Sequence, residues 1–356
     1  MKPRTRRILN MLFIVAMLAL ILFIAFGNSE LANAWEVLFT LDARWVLAAI
    51  GCWLLYYVFD AVSTHYFLRA QGYSIKFTSA LYVSMTGFFY ANITPGSSGG
   101  QPLQVYALSK RGVPVAIGTS AISLRFFSMQ VMMILLSTIF WLCNRAFVDV
   151  QLAGAKWAIY IGWAINFVAI PGILLVAFCR PLVVTVTTWL IRLLGKLRIL
   201  KKPDDTLLRV TSIIDGYHAS IKRLGRHPGH ILVQLLYAGI SVVGLIGVTV
   251  CVYEAFGMTG RPWHQVMTVS FLLFLSASYT PLPGASGAQE GGFLVFFRGM
   301  FTQGTIGLAL LVWRFITYYL FLLSGAVMSI VDSIRGGRRK KPIADANDEP
   351  ADSPAP

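Results

Sequence analysis

Charged side chains are scarce in this chain, and acidic ones are the scarcest. Only 13% of its 356 residues are Asp, Glu, Lys or Arg, whereas 56% are hydrophobic, and the mean hydropathy is +0.68. About a quarter of the residues in a soluble domain are usually charged. The composition therefore excludes an ordinary soluble globular protein and indicates a polytopic membrane protein.

The motifs of common catalytic sites are also missing. There is no P-loop, no G-x-S-x-G elbow, no H-E-x-x-H motif and no soluble domain large enough for a nucleotide. The four cysteines show no C-x-x-C spacing, which argues against a disulfide framework or a metal site. We expect no enzymatic activity, no cofactor, no metal and no ATP-driven transport by this chain alone.

Long apolar runs are what the sequence has instead. A helix needs about 20 apolar residues to cross a bilayer, and six runs meet this length: 8–26, 45–68, 115–142, 157–178, 231–256 and 306–331. The first follows four basic residues and is interpreted as an uncleaved signal anchor. Two shorter runs, 77–93 and 266–280, are predicted to form re-entrant hairpins, because each stops at a segment rich in glycine and proline.

These two segments form an internal repeat. "ITPGSSGGQP" covers residues 93–102 and "YTPLPGASGAQE" covers 279–290, with five identities in eight aligned positions from Pro95 and Pro283. Such residues release backbone groups that, inside a membrane, must be buried in protein, face a cavity or bind a ligand. We predict a binding site that includes Gly96, Ser98, Gly99, Gln101, Gly284, Ser286, Gly287 and Gln289. The alternative is a tight helix-packing contact.

The basic residues indicate the orientation. If both termini are cytoplasmic and the short runs are hairpins, 23 of the 30 Lys and Arg residues are cytoplasmic, in keeping with the positive-inside rule. The two hairpins then enter from opposite sides, as in transporters with inverted repeats. The predicted fold is all-α, with six to eight transmembrane helices and two re-entrant hairpins in an inverted repeat. In the eight-span alternative the short runs cross fully.

One transmembrane domain is expected over residues 1–334, with halves at about 8–145 and 155–334. Ten basic and three acidic residues lie between 180 and 229, interspersed with apolar ones. We interpret this segment as amphipathic helices lying on an anionic leaflet, and the alternative is a solvated basic loop. Residues 335–356 are predicted to be a disordered cytoplasmic tail.

We single out four ionisable residues inside the apolar spans or at a repeat motif. They are Asp60, Arg125, Glu290 and Arg314, and a charge at the centre of a span costs roughly 2.5–3.5 kcal/mol on insertion scales. Each repeat carries its own arginine, 29 residues after Gly96 and 30 after Gly284. Such a pair can grip a phosphate or carboxylate. Alternatively, Asp60 and Glu290 neutralise the two arginines in structural salt bridges.

The motifs resemble a known family. "PGSSGGQPLQVYALSKRG" followed by Arg125, and "PLPGASGAQEGG" followed by Arg314, are similar to the flippase-like membrane region of lysylphosphatidylglycerol synthases. The resemblance covers about residues 8–334. It implies a lipid substrate: a phospholipid, an aminoacylated lipid, or a related polyprenyl or hopanoid lipid. The sequence holds no soluble aminoacyl-transferase domain, so we expect that it does not make lysyl-lipid itself.

The favoured function is a lipid translocase in a bacterial plasma (inner) membrane, with membrane lipids as its partners and no role for nucleic acid. Arg125 and Arg314 would hold the phosphate, and Glu290 and Asp60 would balance them or contact a cationic headgroup. A membrane subunit that recruits a separate lipid-modifying enzyme is the main alternative. An intramembrane enzyme with Glu290 as its acid or base is a third.

Overall fold

A computed structural model describes residues 39–197, 200, 203–278, 280–302 and 304–336, and side chains as far as residue 330. All regular elements in these ranges are helical, and they contain no strand. The predicted all-α class is confirmed. The predicted span at 8–26 lies outside the described residues, and so does the predicted tail from residue 337 onward.

The described part of the chain forms thirteen α-helices, with short 3₁₀ turns at Pro95–Ser97, Ala153–Ala155 and Pro283–Ala285 and a π-helical segment at Phe315–Tyr319. In chain order they are α1 (Ala43–Ala70), α2 (Phe77–Ile93), α3 (Gly100–Ser109), α4 (Val115–Cys143), α5 (Arg145–Gln151), α6 (Lys156–Phe178), α7 (Arg180–Lys196), α8 (Pro203–Gly225), α9 (Pro228–Ala255), α10 (Trp263–Ala277), α11 (Ala288–Phe296), α12 (Ile306–Arg314) and α13 (Leu320–Gly336).

Five stretches of the described residues are long and apolar enough to cross a membrane. They are Ala43–Ala70, Val115–Cys143, Ala153–Phe178, Pro228–Ala255 and Ile306–Ile330. Each overlaps one of the predicted crossings, so the protein is a multi-pass membrane protein. The two short runs form α2, with 17 residues, and α10, with 15 residues, both below the roughly 20 residues of a full crossing.

The centre of the bundle is the contact between α1 and α9, which belong to opposite halves of the chain. Small residues allow their backbones to approach closely. A Cβ added at Gly244 would lie 2.8 Å from the carbonyl oxygen of Cys52, and the Ser241 hydroxyl donates a 2.9 Å hydrogen bond to the carbonyl oxygen of Tyr56. The two halves therefore share one continuous core.

Each glycine motif joins two helices that fold back on each other. In the first, a Cβ added at Gly87 on α2 would collide with Gln104 on α3, and one at Gly100 would lie 2.8 Å from the carbonyl oxygen of Gly87. In the second, a Cβ at Gly292 on α11 would lie 2.4 Å from the Leu273 side chain on α10. Helical hairpins with glycine at their contact surfaces thus present both motifs at their tips.

The basic segment contains the two helices α7 and α8, which pack against each other. The Arg180 Nε donates a 2.5 Å hydrogen bond to Asp215 Oδ1, and this guanidinium lowers the pKa of the Asp215 carboxyl. On α7 the apolar side chain of Trp189 is 64% exposed. The helix therefore carries both apolar and basic groups on its accessible surface.

Candidate functional site

The two motifs begin with the same backbone conformation. Gly96 and Gly284 both lie in the left-handed region, with φ of 57° and 59°, and the next residues, Ser97 and Ala285, also have positive φ, of 55° and 52°. Glycine reaches this region at little cost, whereas residues with a Cβ rarely adopt it. The backbones then diverge, since Gly99 has a φ of -80° and the aligned Gly287 a φ of 83°.

The tips of the two hairpins touch. The backbone amide of Gly96 donates a 2.9 Å hydrogen bond to the carbonyl oxygen of Pro281. The Tyr318 hydroxyl, just after α12, donates a 3.1 Å hydrogen bond to the carbonyl oxygen of Asn92 at the end of α2. Some of the backbone groups that lose their helical hydrogen bonds at these breaks are thus hydrogen-bonded by the other half of the chain.

A cavity of about 450 Å³ lies between the two motifs. Its polar wall includes side chains from both hairpins and the last helices: Asn92, Ser98, Gln101, Ser278, Gln289, Arg314, Thr317 and Tyr318. Its other wall is apolar and largely aromatic, and includes Tyr56, Phe88, Phe126, Met129, Leu245, Phe274 and Phe321. This combination of an apolar surface with a few converging polar groups is typical of a site for a small or amphipathic ligand.

Arg314 is the charged group of the polar wall. Only 4% of its side chain is exposed, and its Nε donates a 2.6 Å hydrogen bond to Glu290 Oε1. Its terminal nitrogens donate to Gln289 Oε1 at 2.8 Å and to the carbonyl oxygen of Gly284 at 3.2 Å. Arg314, at the end of α12, therefore binds three residues of the second motif. A guanidinium has five N–H donors, so it can also donate to a ligand.

Glu290 also shapes its own motif. Its Oε2 accepts a 2.6 Å hydrogen bond from the backbone amide of Gly287, at the start of α11. Gly287 has a φ of 83°, so the turn into α11 requires glycine. A carboxylate at a helix N-terminus is favourable for the helix dipole. The acid that closes the second repeat is thus engaged through both oxygens.

The first arginine makes an equivalent but shifted set of contacts. Arg125 Nη1 pairs with Asp60 Oδ2 on α1, and Nη2 donates a 2.8 Å hydrogen bond to Gln104 Oε1 on α3. Asp60 and Arg125 are almost fully buried, with 4% and 12% of their side chains exposed. The arginine reaches Gln104, one helical turn beyond Gln101, the residue that aligns with Gln289.

The predicted site residues divide into three groups. The cavity is lined by Gly96, Ser98, Gln101, Gly284, Gln289 and Arg314. Glu290, Ser286, Gly287 and Gly99 are not in this lining but belong to the same two motifs. Asp60 and Arg125 form a separate buried ion pair. Both arginine–carboxylate pairs proposed as the alternative in the sequence analysis are present.

Several lining residues were not predicted. Asn92, Gln130 and Thr317 line the cavity, and Gln104 holds Arg125. Gln130 stands alone in the apolar run 115–142, and such an isolated amide is a usable signal. Thr317 and Tyr318 fall within the π-helical segment that follows Arg314. No sequence pattern indicated this widened turn, which is often found at functional sites.

The described residues contain no group of three or more His, Cys, Asp or Glu side chains placed to hold a metal ion. None of the four cysteines forms a disulfide bond in the structure, and the sulfurs of Cys52 and Cys251 lie 3.8 Å apart across the α1–α9 contact. The site is therefore built from amide, hydroxyl, guanidinium and backbone groups.

The fold and the cavity define a polytopic helical membrane protein whose chain breaks at two matching glycine motifs inside the bundle. The family described as "Lysylphosphatidylglycerol synthase TM region" matches residues 8–325, and the chain belongs to this family. It is also similar to a "UPF0104 membrane protein" of Archaeoglobus fulgidus, with 26% identity over 316 residues that cover 85% of this chain and 91% of the relative.

Proposed function

We propose that the protein is a lipid translocase that binds a phospholipid headgroup in the cavity between the two glycine motifs. The observation that carries this proposal is the meeting of the motifs at one cavity, whose lining contains both polar groups and aromatic side chains. A headgroup crossing a bilayer needs polar partners, because the hydrocarbon offers none. The apolar wall suits the upper part of the acyl chains.

In this proposal Arg314 is the phosphate ligand and Arg125 is a positioning residue. Arg314 lines the cavity and can share its N–H donors between Gln289 and a phosphate oxygen. Arg125 is occupied by Asp60 and Gln104, and its contact with α3 holds the first hairpin. Glu290 keeps the guanidinium of Arg314 oriented.

We further propose that the two hairpins are re-entrant and related by inverted topology. Contacts at their starts support this arrangement: the ring of Phe77 at the start of α2 lies 5.8 Å from that of His65 near the end of α1. His264 at the start of α10 bonds Asn144 after α4, 2.7 Å apart. In this arrangement the hairpins begin at opposite ends of the bundle and meet where the Gly96 amide donates to the carbonyl oxygen of Pro281.

The positive-inside rule then orients the protein with both termini in the cytoplasm. Arg69, Lys110 and the bases of α7 and α8 fall on the cytoplasmic side, while Arg145 and Arg298 fall outside. The orientation is tested with single cysteines at positions 110 and 145, each introduced into a variant that lacks the four native cysteines. The measurement is the labelling of each cysteine by a membrane-impermeant maleimide. Labelling of position 110 in intact cells, with position 145 protected, would reverse the orientation.

The test of the function is a lipid-scrambling assay in proteoliposomes. Fluorescently tailed phosphatidylglycerol is followed by quenching of the outer leaflet. Because a hydrogen bond to a charged group contributes about 1.5–3 kcal/mol, Arg314→Gln should slow translocation by about 10- to 100-fold. Arg145→Gln is the matched control, since Arg145 is 68% exposed at the surface.

A second variant separates binding from folding. Gln101 is exposed in the cavity, so Gln101→Leu removes a polar contact without disturbing the core. It should slow translocation at an unchanged melting temperature. Wild-type protein that moves no lipid faster than protein-free vesicles would overturn the proposal and leave the recruiting-subunit hypothesis. The exposed apolar and basic surface of α7, including Trp189, favours that second hypothesis.

A further inference from the structure

The charged groups at the cavity are unevenly placed. Among the described residues that line it, Arg314 is the one charged side chain, and the carboxylate that pairs with it, Glu290, is not part of the lining. The ion pair balances the two charges, but a ligand in the cavity lies beside the guanidinium. Hydrogen bonding to the N–H groups of this cation favours an anionic ligand group.

The nearby carboxylates are already committed. Glu290 accepts from Arg314 through Oε1 and from the amide of Gly287 through Oε2. Asp60 is buried in its pair with Arg125. A cationic headgroup would have to share one of these carboxylates with the arginine that it already pairs with.

The aromatic wall does not replace a carboxylate. A ring face can bind an ammonium ion, but the ring of Tyr318 already faces the Arg314 guanidinium, 5.0 Å from its centroid. Phe88 lies against Phe321, with 4.4 Å between centroids, and Tyr56 lies 4.9 Å from Phe88. These four rings therefore already contact each other or an existing cation, whereas Phe126 is the exposed ring of this wall.

The remaining polar groups are uncharged. Asn92, Ser98, Gln101, Ser278, Gln289 and Thr317 offer amides and hydroxyls, each able to donate and to accept. Hydroxyl groups of a glycerol or sugar headgroup are the natural counterparts of such a set, because they also donate and accept. A zwitterionic or aminoacylated headgroup would leave its ammonium group without an anionic partner.

Resting on the proposed function, we propose that the substrate is a lipid with an anionic phosphate and an uncharged, hydroxyl-bearing headgroup, and that the cavity rejects headgroups that carry a cation. This narrows the substrate classes drawn from the family resemblance, since an aminoacylated lipid is excluded. Selectivity arises from the single guanidinium in a cavity whose lining holds no carboxylate among the described residues.

The test compares two lipids with identical fluorescent tails, phosphatidylglycerol and lysylphosphatidylglycerol, in the same proteoliposomes. They share the phosphate and glycerol and differ by the cationic aminoacyl group. We expect phosphatidylglycerol to move at least about tenfold faster, which is the effect of a difference of about 1.4 kcal/mol. Lysylphosphatidylglycerol moving equally fast or faster would overturn the inference and leave translocation itself intact.

A variant that adds a negative charge to the cavity tests whether charge causes the selectivity. Gln101→Glu places a carboxylate in the cavity wall at an exposed position near the start of α3, where an acid suits the helix dipole. It should reduce the preference for phosphatidylglycerol several-fold, whereas the uncharged control Gln101→Met should leave the preference unchanged. An unchanged preference in Gln101→Glu would contradict the assigned cause.

Binding is measured separately by native mass spectrometry of the detergent-solubilised protein with an equimolar mixture of the two lipids. Preferential retention of phosphatidylglycerol by wild type, lost in Arg314→Gln, supports the inference even if no lipid is translocated. Equal retention of both lipids would overturn it. Translocation of neither lipid would overturn only the proposed function.

Discussion

The backbone amide of Gly96 bonds the carbonyl oxygen of Pro281 at 2.9 Å, so that two motifs 188 residues apart in the sequence touch at their tips. This contact brings two helix breaks, each costly alone in a membrane, to one place where they satisfy part of each other's backbone. It also encloses the cavity that Arg314 lines. The two copies of the repeat therefore line one cavity.

The two left-handed glycines should respond differently to the same substitution. Gly284→Ala adds a Cβ that would lie 2.1 Å from the Tyr318 ring, whereas Gly96→Ala meets nothing within 4 Å. Both pay for a positive φ, about 1–2 kcal/mol. Gly284→Ala should lose about 1–3 kcal/mol more by overpacking, measured by thermal unfolding in detergent. An equal loss of stability in the two variants would show that the Tyr318 ring moves away from the added Cβ without a measurable cost.

The first hairpin should not tolerate a side chain at Gly100. A Cβ there would lie 2.8 Å from the carbonyl oxygen of Gly87, and a backbone atom cannot move aside as a side chain can. We expect Gly100→Ala to separate α2 from α3, to destabilise the protein by about 1–3 kcal/mol and to slow translocation. Gly51→Ala is the matched control, because nothing lies within 4 Å of that helical position.

The buried pair of Asp60 and Arg125 should show strong coupling. Asp60→Asn leaves a buried guanidinium with an amide partner, Gln104, and should cost about 3–5 kcal/mol. The double variant Asp60→Asn/Arg125→Gln removes both charges and should recover much of this loss in a double-mutant cycle. Additive losses would mean that the two side chains act independently.

The contact between α7 and α8 should weaken in acid. Arg180 holds the pKa of the Asp215 carboxyl below its usual value. The ion pair therefore stabilises the contact when the pH is above the usual pKa of an aspartate. This contribution is lost as the pH falls through the lowered pKa. Hydrogen exchange in α7 should be faster in Asp215→Asn than in wild type at neutral pH. The two should become equal once the pH lies well below the lowered pKa of Asp215.

Asp149→Asn is the control for that experiment. Asp149 pairs with Lys156 at 2.7 Å in another part of the molecule, so its loss should leave exchange in α7 and α8 unchanged. A difference between wild type and Asp215→Asn that persists in strong acid would show that the carboxyl acts through its shape and not through its charge.

Much of the fold was predictable because the insertion of a segment into a membrane depends on its local composition. The described crossings overlap the predicted runs, since about 20 apolar residues have no alternative to a helix in lipid. Both helix breaks were predicted for a related reason: segments rich in proline and glycine do not continue a helix. The interruption of the last span by the π-helical segment Phe315–Tyr319 had no such local signature.

The site was predictable only in part. Gly96, Gly284, Gln101, Gln289 and Arg314 were predicted because the repeat marks them, and they line the cavity. The partners of Arg125 follow from helix packing, because its reach to Gln104 and not to the aligned Gln101 depends on how α4 rests on α3. Sequence symmetry suggested two equivalent arginines, yet the cavity is lined by one of them.

The sequence by itself determined which of the described segments are long enough to cross the membrane, where the two helix breaks lie, and which charged residues fall within the spans. It could do so because insertion into a bilayer depends on the hydrophobicity of each segment. Only the tertiary structure decided that the breaks meet, that Arg125 is held by Asp60 away from the cavity lining, and that Arg314 faces the cavity with no lining carboxylate among the described residues. Packing in lipid is directed by close backbone approach and hydrogen bonds between distant helices. No single segment of the sequence contains that information.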